Sequence, residues 1–349
     1  MVAAERNEKV MANKDIGIDL GTATVIVYIV GKGVVLCEPS IVAVETVSGK
    51  IVSVGEEAFK VLGRTPDNIR AVRPLQDGVI SDYVLTEQMI KHFLKKSCGN
   101  MMFKPRVALC VPSGITDVES RAVIEAAITA GARKVFLIEE PVAAAIGAGI
   151  DISRPNGCMI LDIGGGTTDI AVISLNGIVC KTSLKIAGNK FDNALVKYIR
   201  NKYSVLIGEK SAERLKKEIA CVWNPQPDSV MEVKGRNLIT GLPQKIAISA
   251  EETCEALNEP VSLIVQAIQS VVERTPPELV ADISENGIVL TGGGSLLRGL
   301  SEYITAELRM KARVAEDPTN CVAIGTGKAF EYLNILQDGF FNPSTYKYQ

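Results

Sequence analysis

Met159-Ile160-Leu161-Asp162-Ile163-Gly164-Gly165-Gly166-Thr167-Thr168-Asp169 reads as an apolar strand that ends on a carboxylate and breaks into glycines. A second apolar run follows from Ile170 to Leu175, then the hairpin dipeptide Asn176-Gly177 and a further run from Ile178. The same plan stands near the start of the chain. Ile16-Gly17-Ile18-Asp19-Leu20-Gly21-Thr22 is followed by Val25 to Val30, a Gly31-Lys32-Gly33 turn and a run from Val34. Both read as a β-meander whose first turn carries Asp-x-Gly.

Two more elements repeat in the same order. Val107 to Val111 leads into Pro112-Ser113-Gly114, and Gly287 to Leu290 leads into Thr291-Gly292-Gly293-Gly294, each before a helical pattern. Val135 to Ile138 precedes Glu139-Glu140-Pro141 and Ala145-Ile146-Gly147, matched by Arg313 to Ala315, Glu316-Asp317-Pro318 and Ala323-Ile324-Gly325. Ordered repetition of this kind indicates duplication. The expected fold is α/β: residues 1–152 with 325–349 as one domain and 153–324 as the other. Less symmetric stretches at about 45–90 and about 206–259 read as two smaller inserted subdomains. The last helix, from Cys321, is expected to pack back on the first half.

A length of 349 residues suits two domains, since single cores rarely grow past roughly 250–300 residues. Hydrophobic content of 47% with 22% charged residues describes a globular chain. A net charge of -2, without a long Lys/Arg run, argues against nucleic acid as a partner. The eight cysteines never form Cys-x-x-Cys, and His92 is the only histidine, so a zinc site or Cys/His nucleophile has little to draw on. They read as buried thiols of a reducing cytosol. Met1 to Lys14 has no apolar core, and no later run approaches the roughly 20 apolar residues of a membrane span, so a cytoplasmic protein is expected.

Glycine turns let backbone N–H groups converge on phosphate oxygens, because no Cβ blocks the approach and positive φ is accessible. Gly21-Thr22-Ala23 and Gly164-Gly165-Gly166-Thr167 are therefore expected to grip a polyphosphate from opposite sides. A single Asp-x-Gly would be read as a plain hairpin turn; its duplication favours phosphate. Asp19 and Asp162 end apolar strands, where a carboxylate is costly unless a cation or its water compensates. Mg²⁺ keeps several waters, so both are expected to hold the ion through them. Neither turn carries a lysine.

A carboxylate of Glu139-Glu140-Pro141 could orient a water for attack on a γ-phosphate. From the residues alone, acids favoured by a helix N-terminus explain this pair equally well. Gly292-Gly293-Gly294 would let a nucleoside lie against backbone, and Glu213 and Lys216 fall three apart on one helical face. A solvated face is the commoner reason for such charges. Met101-Met102-Phe103, beside Lys104 and Arg106, is either a packed triplet or a membrane-inserting tip.

Asp19-Leu20-Gly21-Thr22-Ala23, Arg64-Thr65-Pro66, Arg73-Pro74, Asp77-Gly78-Val79-Ile80, Ile138-Glu139-Glu140-Pro141, Asp162 to Thr168 and Thr291-Gly292-Gly293-Gly294 together resemble the MreB/Mbl family of bacterial actin homologues, from about Asp15 to Leu333. The resemblance implies an actin-like ATPase fold of duplicated ribonuclease H-like domains. It also implies slow Mg-dependent ATP hydrolysis coupled to polymerisation, with ATP and Mg²⁺ as cofactors. The implied partners are other copies of the chain in filaments, the membrane surface and cell-wall elongation proteins in rod-shaped bacteria. Carried over position by position, Gly21, Thr22, Ala23, Gly164, Gly165 and Gly166 meet the phosphates. Glu140 is chosen over Glu139 for the attacking water and joins Asp162 and Thr167 as the catalytic set. Glu213, Arg214, Leu215 and Lys216, with Gly292, Gly293, Gly294 and Ser295, meet the nucleoside. Met101, Met102 and Phe103 match the membrane-inserting loop, and the N-terminal extension lacks the amphipathic helix some members use. Thr24 departs from the family's usual asparagine.

Sugar kinases, chaperones and polyphosphatases share this two-domain architecture. A small-molecule kinase or other monomeric ATPase is the alternative, and it would not assemble with Mg-ATP.

Overall fold

The computed structural model describes residues 15–99, 104–332 and 340–341. Two large sheets share one plan. In the first, the meander Asp15–Leu20, Thr24–Ile29, Gly33–Pro39 is antiparallel, while Arg106–Val111 and then Lys134–Glu139 add in parallel beside Asp15–Leu20. In the second, Cys158–Ile163, Thr168–Ser174, Gly177–Leu184 form the meander, and Ile288–Thr291 and Ala312–Val314 add in parallel. Phe340–Phe341 extends only the first sheet, antiparallel to Lys134–Glu139. The duplication in the sequence is thus a duplication of strand order.

The central strands are buried because each sheet is covered on both faces; every residue of Thr168–Ser174 is buried. Two small sheets lie in the inserted stretches. One joins Val42–Glu45, Ile51–Val54 and Ile69–Val72 beside the helix Glu56–Val61; the other joins Val205–Leu206, Val230–Asn237 and Pro243–Ser249 beside the helix Glu209–Glu218.

Two of the helices begin on a reciprocal side-chain cap. Thr116 and Glu119 form a reciprocal capping box at Asp117–Ala130, and Ser249 and Glu252 form another at Ala250–Arg274. Glu140–Gly147 instead starts on Glu139 in extended geometry with Pro141 inside the first turn, which carries a strand directly into a helix.

Glu140–Gly147 and Cys321–Lys328 belong to one core cluster that also takes Ile138 from the first sheet and Ile160, Ala171 and Val289 from the second. The two helices touch backbone to backbone. A Cβ at Gly325 would lie 1.7 Å from the Ala143 carbonyl oxygen, and one at Gly147 would lie 1.8 Å from that of Cys321. Cys321–Lys328 also presses on the first strand, where a Cβ at Gly17 would meet Gly327 N at 2.4 Å. It packs on the first half as expected, and the expected boundary at 325 falls inside it. We expect Gly325→Ala to cost on the order of 3 kcal/mol, because rigid backbone must yield. Thermal unfolding checks this; an unchanged Tm would mean the helices separate freely.

Not all the cysteines are buried. Cys110, Cys221 and Cys321 are, Cys98, Cys158, Cys180 and Cys254 are half-buried, and Cys37 is exposed on the outer strand of its meander.

Candidate functional site

Asp19 and Asp162 each stand at the end of the central strand of their sheet, and the parallel neighbour strand supplies each with a donor. Cys110 Sγ donates to Asp19 Oδ1 at 3.2 Å, and Thr291 Oγ1 donates to Asp162 Oδ1 at 2.7 Å. Burial raises Asp19 to about 6. Burial first, then the charges of Asp19 and Asp169, raise Asp162 to about 7 against the Thr291 hydrogen bond. The two carboxyls therefore share one low-dielectric space. Burial and the Asp19 charge hold the Cys110 thiol well above its usual range, so it stays a donor.

The symmetry breaks on the next strand. Asp19 faces Ile26 across its hairpin, whereas Asp162 faces Asp169. Asp169 is fully buried, accepts the Ser113 N–H at 2.9 Å on Oδ1, and has no hydrogen bond on Oδ2 among the described residues.

The glycine turns that follow the aspartates meet face to face. A Cβ on Gly165 would come within 2.5 Å of Ala23 Cβ, and one on Gly166 within 2.5 Å of Thr22 Oγ1. Gly21, Gly164, Gly165 and Gly166 all have negative or extended φ, so at Gly21, Gly165 and Gly166 close approach, not the positive φ anticipated from sequence, requires glycine. Among the described residues, the N–H groups of Gly21, Thr22, Ala23, Gly165, Gly166 and Thr167 have no protein acceptor, whereas Gly164 N closes its own turn on Thr167 O at 2.9 Å. Partly buried donors without partners call for an anion or water. Thr22 Oγ1 is already engaged, accepting Gly78 N–H at 3.0 Å.

Glu139 and Glu140 separate sharply. Glu139 is buried and gripped through both oxygens by Lys181 Nζ, at 2.7 and 2.8 Å, from the other half. Glu140 has no such cation among the described residues; burial and then the charges of Asp169, Asp162 and Asp19 push it well up. Its carboxyl belongs to the acidic cluster, while Glu139 is a tie between halves.

The residues expected to meet a nucleoside are only partly brought together. Lys216 Nζ lies 3.0 Å from Gly188 O and 2.8 Å from Asp192 Oδ2, and Gly188 N in turn donates to Gly164 O at 3.1 Å, which ties this lysine to the second turn. Glu213 pairs with Lys217 at 2.7 Å. Arg214 is exposed beside Glu218, and Leu215 is fully buried in the core, so its side chain is withdrawn from the site. Gly292 takes φ 79° and Gly294 packs with it against Ile163, where Cβ atoms would clash at 2.3 and 2.4 Å. Ser295 Oγ is spent on Gly292 O at 2.6 Å. Gly293 alone of this set is exposed backbone. Met101, Met102 and Phe103 lie outside the described residues.

Among the described residues no three His, Cys, Asp or Glu side chains converge as direct metal ligands. A divalent ion would be held through water, which suits Mg²⁺. The raised carboxyls of Asp19 and Asp162 fit such an ion.

Residues 13–338 match the family model described as MreB/Mbl protein. The chain belongs to the MreB/Mbl family. It is 50% identical to the cell shape-determining protein Mbl of Bacillus subtilis, over 93% of this chain and 98% of the relative. Against the cell shape-determining protein MreB of Escherichia coli it is 49% identical, covering 95% and 97%. A crystal structure of MreB 5 of Spiroplasma citri bound to AMPPNP superposes with a TM-score of 0.88 at 39% identity, covering 92% of this chain and 97% of that one. The fold is therefore actin-like, as the MreB/Mbl resemblance implied. Sequence reasoning missed Asp169, Cys110, Ser113, Lys181 and Asp192. Asp169 had a signal: the repeat puts an aspartate where its first copy has Ile26.

Proposed function

We propose that this MreB/Mbl chain binds Mg-ATP between its two glycine turns, hydrolyses it slowly and assembles with copies of itself into filaments on the membrane that direct cell-wall synthesis in a rod-shaped cell. Residues 1–152 with 325–349 and residues 153–324 form the two lobes of this reading. The observation that carries it is the set of six partly buried N–H groups, from Gly21 to Ala23 and Gly165 to Thr167, left without acceptors among the described residues on turns that face each other. The related MreB 5 holds AMPPNP, a triphosphate analogue, which supports the same ligand here.

Bound Mg-ATP would bring the scissile phosphoanhydride and the countercharge that neither turn supplies. Asp19 and Asp162 hold the waters of the ion, and Thr167 belongs with them in the catalytic set. Glu140 orients the attacking water, a positioning task that phosphoryl transfer chiefly requires. Lys216 and the exposed backbone at Gly293 flank the nucleoside, with Glu213 and Arg214 on the rim. No helix among the described residues is long and apolar enough to cross a membrane, so membrane contact rests on Met101, Met102 and Phe103.

Sedimentation with Mg-ATP and anionic liposomes tests this. The protein should pellet as polymer, and serine at all three of Met101 to Phe103 should abolish co-sedimentation with liposomes while ATP turnover persists. Persistent failure to assemble would favour a monomeric kinase-like ATPase, and unchanged pelleting of the triple variant would return the triplet to ordinary packing.

A further inference from the structure

Asp169 has no part in the roles assigned so far, yet its placement is among the most constrained in the molecule. It sits on the strand Thr168–Ser174 of the second sheet, directly across from Asp162, and is fully buried. One oxygen is fixed by the backbone N–H of Ser113, which belongs to the turn after the strand Arg106–Val111 of the first sheet. The other oxygen carries no hydrogen bond among the described residues. Glu140, also from the first half, is close enough to Asp169 for the two carboxyls to influence one another. Next door, Glu139 is clamped by Lys181 on the strand Gly177–Leu184, which pairs with the strand of Asp169.

Two ties therefore cross from one half to the other on either side of Glu140: Ser113 to Asp169, and Lys181 to Glu139. A backbone N–H and a carboxylate form such a bond only when the halves are at the right separation, and the fixed length of the bond transmits that separation to the carboxyl. A carboxyl beside Glu140 restricts where the Glu140 side chain can lie, because two carboxyls in one dry site cannot both ionise freely and each constrains the other.

We propose that Asp169 is a positioning residue for Glu140, locked by the Ser113 amide from the opposite half, so that Glu140 is aimed for hydrolysis only while the two halves are closed on each other. This rests on the ATPase reading above. Asp169 acts through Glu140 and does not itself touch the nucleotide. It makes turnover depend on the closure of the halves, a quantity that assembly with neighbouring copies can change. Asn at 169 keeps the oxygen that accepts the Ser113 N–H but removes the charge against Glu140; Ala removes both.

The test measures ATP turnover, nucleotide affinity with a fluorescent ATP analogue, and amide hydrogen exchange of the segment around Ser113, in full-length wild type, Asp169→Asn and Asp169→Ala. Asp169→Asn should lower kcat about 10-fold or more while leaving nucleotide Kd within about twofold, and should keep the Ser113 amide protected. Asp169→Ala should lower kcat at least as far and also speed exchange at Ser113. Asp169→Glu, which restores charge at a longer reach, should recover part of the lost kcat. Wild-type kcat in Asp169→Asn overturns the proposal, as does a parallel loss of kcat and affinity, which would mark a structural role. If the wild type itself fails to turn over ATP, the ATPase reading falls and this proposal with it; normal wild-type turnover with an unaffected Asp169→Asn sinks the proposal alone.

Discussion

Asp162→Ala should lose Mg-nucleotide binding by about 10- to 100-fold or more, the range seen when a group that orients a metal's ligands is removed. The expectation follows from the place of Asp162 in the sheet. It ends the central strand of the second half, is 4% exposed, and is aimed by Thr291 from the neighbouring strand. Burial holds its pKa at about 7, so without a cation it is partly protonated at neutral pH. A bound ion would displace that proton, and the affinity of wild type should accordingly fall as pH drops below 7. Titration with a fluorescent nucleotide, with and without Mg²⁺, reads both effects. Wild-type affinity in the variant would remove Asp162 from the metal's surroundings.

Glu140→Ala should keep nucleotide binding and slow hydrolysis by roughly 10²- to 10⁴-fold, the span of a positioned acid–base group. Glu139 offers the internal contrast. Its carboxylate is held by Lys181 across the halves, so Glu139→Gln should weaken that tie without removing the group that aims the water. Single-turnover hydrolysis at saturating ATP separates the two. Normal turnover in Glu140→Ala would reject the water-positioning role, and a larger loss in Glu139→Gln than in Glu140→Ala would transfer it to the neighbour.

The fold was legible because duplication doubles every signal. Asp-x-Gly after an apolar strand is ambiguous once, but its recurrence with two further matched elements leaves few topologies, and both sheets take the same strand order. The site was legible only where chemistry follows chain order. The turns Gly21 to Ala23 and Gly164 to Thr167 were expected from sequence to face each other and do so, although Gly165 and Gly166 serve close approach to the other turn and not positive φ. The choice between Glu139 and Glu140 could not come from two adjacent acids before a proline. What separates them is Lys181, which among the described residues pairs with Glu139 alone and whose nearness is a product of packing between halves. Leu215 came with the run Glu213 to Lys216 that the family resemblance carried over, and helical periodicity turns its side chain into the core. Asp169 and Ser113 meet across 56 residues of chain, a contact no local pattern announces.

The most direct test of two glycine turns closing on one nucleotide is a crystal structure with AMPPNP and Mg²⁺, fine enough to show the waters on the ion. The triphosphate should lie against the N–H groups of Gly21 to Ala23 on one side and Gly165 to Thr167 on the other, with Asp19 and Asp162 on waters of the metal. A triphosphate bound elsewhere, or contacted by one turn alone with the other beyond the roughly 3.2 Å reach of a hydrogen bond, would contradict it.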